Sequence, residues 1–103
     1  MAKIRELAQA CRSKNAGPYE FTFDIVFRDA ETFEKVRATR VLGPELIARL
    51  YKIDPADVIF TEFPPAYAFK ATIPRAIVSG DPGDPDVYGA QQHAPLLDVD
   101  IPI

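Results

Sequence analysis

Residues 19–28 constrain the fold of this chain more than any other segment. Apolar side chains occupy every second position there, and four of the five are aromatic. They are Tyr19, Phe21, Phe23, Ile25 and Phe27. Because successive side chains of a β-strand point to opposite faces, this row predicts a strand with one buried face. Glu20, Thr22 and Asp24 then lie on its polar face.

Two helices are predicted after this strand. Asp29 is suited to cap the first helix, which turns Phe33 and Val36 inward. Gly43-Pro44 ends that helix and begins a second one, since proline is favoured in a first helical turn. The buried stripe of the second helix is Leu46, Ile47, Leu50 and Tyr51.

The second half of the chain predicts three more strands. Residues 58–63 and 66–73 are rich in β-branched and aromatic residues, and Pro64-Pro65 separates them. Residues 79–86 have the composition of a loop, and residues 87–94 predict a short helix. Residues 97–103 alternate apolar and polar side chains, which predicts a final strand at a sheet edge.

The N-terminal segment is described by two alternatives. Ile4, Leu7, Ala8 and Cys11 have the spacing of a short amphipathic helix, but an extended arm fits equally. Residues 12–17 then predict a polar loop that the Gly17-Pro18 pair closes.

This order of elements predicts an α+β fold. It is a ferredoxin-like split βαβ arrangement, with one four-stranded antiparallel sheet, helices on one face and an N-terminal extension. A length of 103 residues is that of one domain, so we expect residues 1–103 to form a single ferredoxin-like domain.

Composition excludes several classes of function. The net charge of −3 argues against nucleic-acid binding, which needs a basic face. The single cysteine excludes an intrachain disulfide and a cysteine zinc cluster, and we expect no metal and no cofactor. No segment has the length of apolar sequence that spans a membrane, and the N-terminus is unlike a signal peptide, so we expect a cytoplasmic protein.

Two polar features are candidate binding sites. Arg12, Ser13, Lys14 and Asn15 place two cations and two hydrogen-bonding side chains together, which suits a carboxylate or phosphate. A solvated turn is the alternative. The small neighbours of Lys70 on its strand leave a hollow around its charged end. The alternative is that this lysine extends past apolar surface into solvent.

The only histidine, His93, is the candidate catalytic residue. Its pKa range suits proton transfer, and Gln91 and Gln92 beside it are suited to hold a substrate. The alternative is a histidine satisfied in a surface loop. A hydrolase triad with Ser13 or Ser79 has little support, since neither serine lies in a nucleophile elbow.

Residues 81–88 contain further candidates. Asp81, Asp84 and Asp86 offer oxygen ligands to a hard cation, but they miss the EF-hand spacing and sit beside proline or glycine, which favours turns. Asp86 and Tyr88 are retained as candidate ligand-binding or partner-binding residues.

Two strings are distinctive as a whole: RSKNAGPYEFTFDIVF at residues 12–27 and GDPDVYGAQQHAPLL at residues 83–97. With GPELIARLY and FKATIPR between them, the chain resembles an uncharacterised family of bacterial proteins of about this length, a domain of unknown function. Members are typically encoded beside the much larger acyclic terpene utilization (AtuA-like) proteins. Residues 12–17 also resemble the RSGDKG loop that opens the ferredoxin-fold C-terminal domain of many AtuA-like chains, with Lys14-Asn15-Ala16 in place of Gly-Asp-Lys.

This resemblance implies association with a larger chain. We expect a small subunit that completes an AtuA-like enzyme acting on organic acids or acyl-CoA thioesters, of hydratase, lyase or isomerase type. Two alternatives are a stand-alone lyase or isomerase that uses His93 and Arg12, and a non-catalytic homo-oligomer that binds a small molecule. Arg12 and His93 are predicted at opposite ends of the sheet, which favours a composite site.

Overall fold

The computed structural model describes residues 2–17, 19–74 and 94–103. In this part of the chain the strands are β1 (Ala2–Lys3), β2 (Ala8–Asn15), β3 (Glu20–Phe27), β4 (Ile59–Phe63), β5 (Ala68–Pro74) and β6 (Asp100–Ile101). The α-helices are α1 (Ile4–Leu7), α2 (Ala30–Thr39), α3 (Pro44–Tyr51) and α4 (Ala94–Leu97). Two short 3₁₀ turns, Pro55–Asp57 and Pro64–Ala66, flank β4. The fold is α+β.

The main sheet has four antiparallel strands in the order β2-β3-β5-β4, and β3 lies in its interior. Four members of its predicted apolar row, Phe21, Phe23, Ile25 and Phe27, are in the core. The prediction is wrong for Tyr19, which precedes the strand and is 66% exposed. The four core residues pack with Phe69 of β5 and with the inward side chains of α2 and α3. Both long helices therefore cover the same face of the sheet.

The helix predictions are confirmed in their caps and buried faces. The Asp29 carboxylate accepts a hydrogen bond from the Thr32 backbone N–H at 2.8 Å, which begins α2. Phe33 and Val36 are buried, and Pro44 begins α3. Tyr51, the last residue of α3, stacks on Phe23 with ring centroids 4.8 Å apart. This contact fixes α3 to the centre of the sheet.

The prediction for the N-terminal segment is only partly right. The helix is a single turn, and the chain is then extended through β2, which pairs with β3 along residues 8–15. The predicted polar loop at residues 12–17 is thus wrong for Arg12, Ser13, Lys14 and Asn15, which belong to the strand. One helical turn is weakly stable alone, whereas the strand forms a ladder of backbone hydrogen bonds with β3.

The C-terminal segment also differs from its prediction. Residues 97–103 do not form a strand of the main sheet, because Asp100–Ile101 pairs with Ala2–Lys3 in a separate two-stranded sheet. β2 occupies the sheet edge that the ferredoxin-like order assigns to the last strand. Ile4 and Ile101 are completely buried, so apolar burial joins the two ends of the chain.

Several predictions lie outside the described residues. These are the loop at residues 79–86 and nearly all of the short helix at residues 87–94, together with the candidate residues Asp81, Asp84, Asp86, Tyr88, Gln91, Gln92 and His93. Each of them stays a prediction.

Candidate functional site

The face of the main sheet opposite α2 and α3 carries most of the charged side chains of its four strands. We call it the open face. The strand register places on it Ala10, Arg12 and Lys14 of β2, Glu20, Thr22, Asp24 and Val26 of β3, Ile59, Thr61 and Phe63 of β4, and Ala68, Lys70 and Thr72 of β5. The alternation that buries the aromatic row of β3 also fixes this set.

A charged row crosses the open face at its centre. The register pairs Arg12 with Asp24 and Asp24 with Lys70, so one carboxylate lies between two cations on adjacent strands. Arg12 Nε is 3.5 Å from Asp24 Oδ2, and Lys70 Nζ is 3.8 Å from Asp24 Oδ1. Both distances allow an ion pair, but both are longer than a strong charge-assisted hydrogen bond.

Asp24 is the unusual member of this row. Its side chain is only 8% exposed, whereas those of Arg12 and Lys70 are more than half exposed. Oδ1 is buried, and no donor among the described residues forms a hydrogen bond with it. Leaving a buried acceptor without a partner costs on the order of 1–3 kcal/mol. The row therefore holds a carboxylate oxygen with unused capacity to accept a hydrogen bond.

The next row along the strands adds hydroxyl groups and one more cation. Thr22 and Thr72 are paired across β3 and β5, and their hydroxyl oxygens are 3.2 Å apart. Lys14 is opposite Thr22 and is exposed. Ile59 is opposite Thr72, at the β4 edge of the row. The centre of the open face is thus polar and its β4 edge is apolar.

The β4 edge exposes two large apolar side chains. Ile59 is 62% exposed and Phe63 is 48% exposed, although both lie on a regular strand. In the described part of the chain β4 pairs only with β5, so it is an edge strand of the main sheet. An exposed apolar edge strand is a common place for another chain to bind.

The structure separates the residues that the sequence grouped at positions 12–15. Arg12 and Lys14 lie on the open face, whereas Ser13 and Asn15 are opposite Phe23 and Phe21 on the helix-covered face. Ser13 is buried there. The structure therefore does not bring the four side chains together on one face, since neighbouring positions of a strand point in opposite directions.

Two of the candidate residues are brought together from distant positions in the chain. Arg12 and Lys70 lie on either side of Asp24, and each forms an ion pair with its carboxylate. Asp24 was not predicted as a site residue, because the sequence places it among ordinary polar positions of its strand. Asp24 is identified by the strand register, because the pairing of β2, β3 and β5 places this acid between two cations.

One titratable pair lies on the helix-covered face. Cys11 is opposite Ile25, and burial raises the pKa of its thiol from an ordinary value of 9.0 to about 11. Burial also raises the pKa of Tyr51, and the nearby Cys11 thiolate adds to that shift. Both groups are therefore neutral at physiological pH, and Cys11 is a packing residue there.

A second polar region, with a volume of about 470 Å³, lies beside α2 and β4. Arg37 donates hydrogen bonds to Glu62 at 2.8 Å and to Glu34 at 3.2 Å. Both bonds raise the pKa of Arg37, and the bond with Glu62 joins α2 to the edge strand. We assign this region a structural role.

Metal binding has no support in the described residues, which contain no group of three or more His, Cys, Asp or Glu side chains arranged to hold an ion. Within the same residues, no helix is long and apolar enough to cross a membrane.

The fold and the open face define a small α+β protein with a charged row on one side of an antiparallel sheet. The chain belongs to the family described as Domain of unknown function (DUF4387), whose model matches residues 4–100. No curated protein and no solved structure matches the chain.

Proposed function

We propose that this chain is a small accessory subunit that binds a large AtuA-like chain through the open face of its main sheet. The complex is then an enzyme of hydratase, lyase or isomerase type that acts on organic acids or acyl-CoA thioesters. Membership of the DUF4387 family is consistent with the resemblance that suggested this role.

One observation carries the proposal: the apolar edge strand beside the charged row. Ile59 and Phe63 expose large apolar surfaces on the same face as Asp24, a buried carboxylate with an unsatisfied oxygen. A partner that covers this face gains apolar burial at the edge and supplies polar groups at the centre. Protein interfaces commonly have this composition, with apolar anchors and charged residues that set the orientation.

The split arrangement of β3, β4 and β5 supports the ferredoxin-like part of the same hypothesis. β3 and β4 are both antiparallel to β5, so they run parallel to each other on its two sides, with α2 and α3 between them in the chain. We propose that the chain occupies the position of the ferredoxin-fold C-terminal domain in AtuA-like partners that lack it.

Co-expression with the neighbouring AtuA-like chain tests this function. We expect the tagged subunit to purify with that chain in a fixed ratio, and the native mass to be that of the complex. The variant Ile59→Lys combined with Phe63→Lys should weaken the complex at least about tenfold, since it charges the apolar edge. Ile103→Lys is the matched control, because Ile103 is exposed and lies outside the main sheet.

One outcome of the co-expression experiment would contradict the proposed function. If both chains are expressed and the subunit purifies alone, as a monomer or homo-oligomer, the proposed function is wrong. Turnover by the purified chain that is lost in folded His93→Ala would instead support the stand-alone lyase or isomerase.

A further inference from the structure

We infer that the row formed by Arg12, Asp24 and Lys70 is a binding site for a small hydroxy-carboxylate. The ligand's carboxylate group contacts the two cations, and its hydroxyl group donates a hydrogen bond to Asp24. The inference rests on the proposed function in one respect, since it specifies the class of organic acid that the complex binds.

The two cations are available for an anion. The ion pairs with Asp24 are the contacts that the described structure gives to Arg12 and Lys70, and both side chains are largely exposed. Arg12 contacts Asp24 through Nε, so in the described structure its terminal nitrogens stay available for the two oxygens of a carboxylate. Lys14, one row away, adds positive charge on the same face.

The Asp24 carboxylate requires a hydrogen-bond donor on the ligand. Its side chain is more than nine-tenths buried, and its Oδ1 accepts no hydrogen bond from the described residues. A ligand carboxylate cannot donate to this oxygen, so a plain acid leaves the acceptor unsatisfied. Because Oδ1 is buried, a hydroxyl or ammonium group on the same ligand satisfies it when the exposed Lys70 side chain moves aside.

The local charge decides between these two donors. The open face carries three cations, Arg12, Lys14 and Lys70, and two carboxylates, Asp24 and Glu20, which leaves one net positive charge. An amino acid is a zwitterion and carries no net charge to balance this excess. A hydroxy-carboxylate carries one negative charge and one donor, and therefore matches both features.

Chemical-shift titration of the isotopically labelled chain tests the inference. The probes are lactate with propionate, and 3-hydroxybutyrate with butyrate, two pairs in which only the hydroxyl group differs. We expect at least one hydroxy acid to shift the signals of Arg12, Asp24 and Lys70, with a Kd of about 1 mM. The matching plain acid should bind about tenfold more weakly, because it leaves Asp24 unsatisfied.

Variants separate the roles of the three side chains. Arg12→Gln and Lys70→Gln should each weaken binding of the hydroxy acid about tenfold. Asp24→Ala should remove the preference for the hydroxy acid, and Asp24→Asn, which keeps an acceptor oxygen, should retain part of it. Lys35→Gln is the control: Lys35 lies on α2 and pairs with Glu31. Circular dichroism of each variant checks that it is folded.

Two results would overturn the inference. One is the absence of shifts at the row with all four probes, and the other is equal binding of the two members of each pair. Partner association is measured separately, so the two hypotheses fail independently. A complex that forms without hydroxy-acid binding contradicts only the inference, and binding without a complex contradicts only the proposed function.

Discussion

Asp24 lies between two cations, yet we expect its carboxylate to add little to the stability of the fold. Burial removes hydration from its carboxylate, and the ion pairs at 3.5 Å and 3.8 Å compensate only in part. We therefore expect Asp24→Asn to leave the free energy of unfolding unchanged or to raise it by up to about 1 kcal/mol. Urea denaturation checks this, and a loss of more than about 1 kcal/mol would assign Asp24 a structural role.

Cys11 should be unreactive, although it lies on an edge strand. Because its pKa is about 11, its thiolate fraction at pH 8 is about a hundredfold smaller than that of an ordinary thiol. Alkylation by iodoacetamide should be slower than that of a model thiol by at least this factor. The raised pKa also means that Cys11 favours the folded state below pH 9 and that this contribution is lost as the pH rises towards 11. Alkylation at the model rate in native buffer would contradict the burial of Cys11.

The sequence indicates which side chains are candidates for binding, but not which of them lie close together in the fold. Arg12 and Lys70 were predicted as candidates from their own surroundings in the chain. Asp24 was missed because its importance depends on which strands are its neighbours, and pairing between residues 12, 24 and 70 is a tertiary property. Ser13 is on the other face from Arg12 because a strand forms where the sequence predicts a loop.

The two-stranded sheet that joins the chain ends is the element with the clearest stability test. Ile101 is completely buried, and Ile103, two positions later, is 43% exposed. We expect Ile101→Ala to lower the free energy of unfolding by about 2–4 kcal/mol. Ile103→Ala is the matched control and should cost less than about 1 kcal/mol. Equal effects in urea denaturation would show that the β1–β6 pairing does not hold the ends together.

The first turn of α2 should respond to pH through Asp29. The pKa of this carboxyl is lowered mainly by its hydrogen bonds with Thr32. A lowered pKa means that the cap stabilises the fold above the ordinary carboxyl pKa and is lost as the pH falls through the folded-state value. Asp29→Ala should lower the melting temperature by a few degrees at pH 7, and Asp29→Asn should restore most of it. If Asp29→Ala has the same melting temperature as the native chain at pH 7, the cap does not contribute to stability.

Elements with strong local signals were predicted well, and elements that depend on distant pairing were not. The aromatic alternation of β3 and the caps of α2 and α3 are encoded within a few residues. The segments that form β2 and β6 contain few such local signals. Their pairing depends on which sheet edges the other strands leave free. The alternation at residues 97–103 was consequently assigned to the wrong sheet.

The two faces of the main sheet have different compositions. The helix-covered face contains the hydrophobic core, and that packing gives the fold its stability. The open face combines an apolar edge at Ile59 and Phe63 with a charged row around Asp24. Hydrophobic periodicity predicted that the sheet has a buried face. The proposed use of the other face for binding depends on a second molecule, which the sequence of this chain does not describe.

Lysine footprinting with the purified AtuA-like chain tests whether the partner covers the open face. The reagent is an acetylating agent, and labelling at each lysine is compared with and without the partner. Lys14 and Lys70 lie on the open face, whereas Lys35 on α2 and Lys52 after α3 are exposed elsewhere. We expect the partner to reduce labelling of Lys14 and Lys70 at least about tenfold and to leave Lys35 and Lys52 unchanged. Unchanged labelling of Lys14 and Lys70, or protection of Lys35 and Lys52 in their place, would contradict the account.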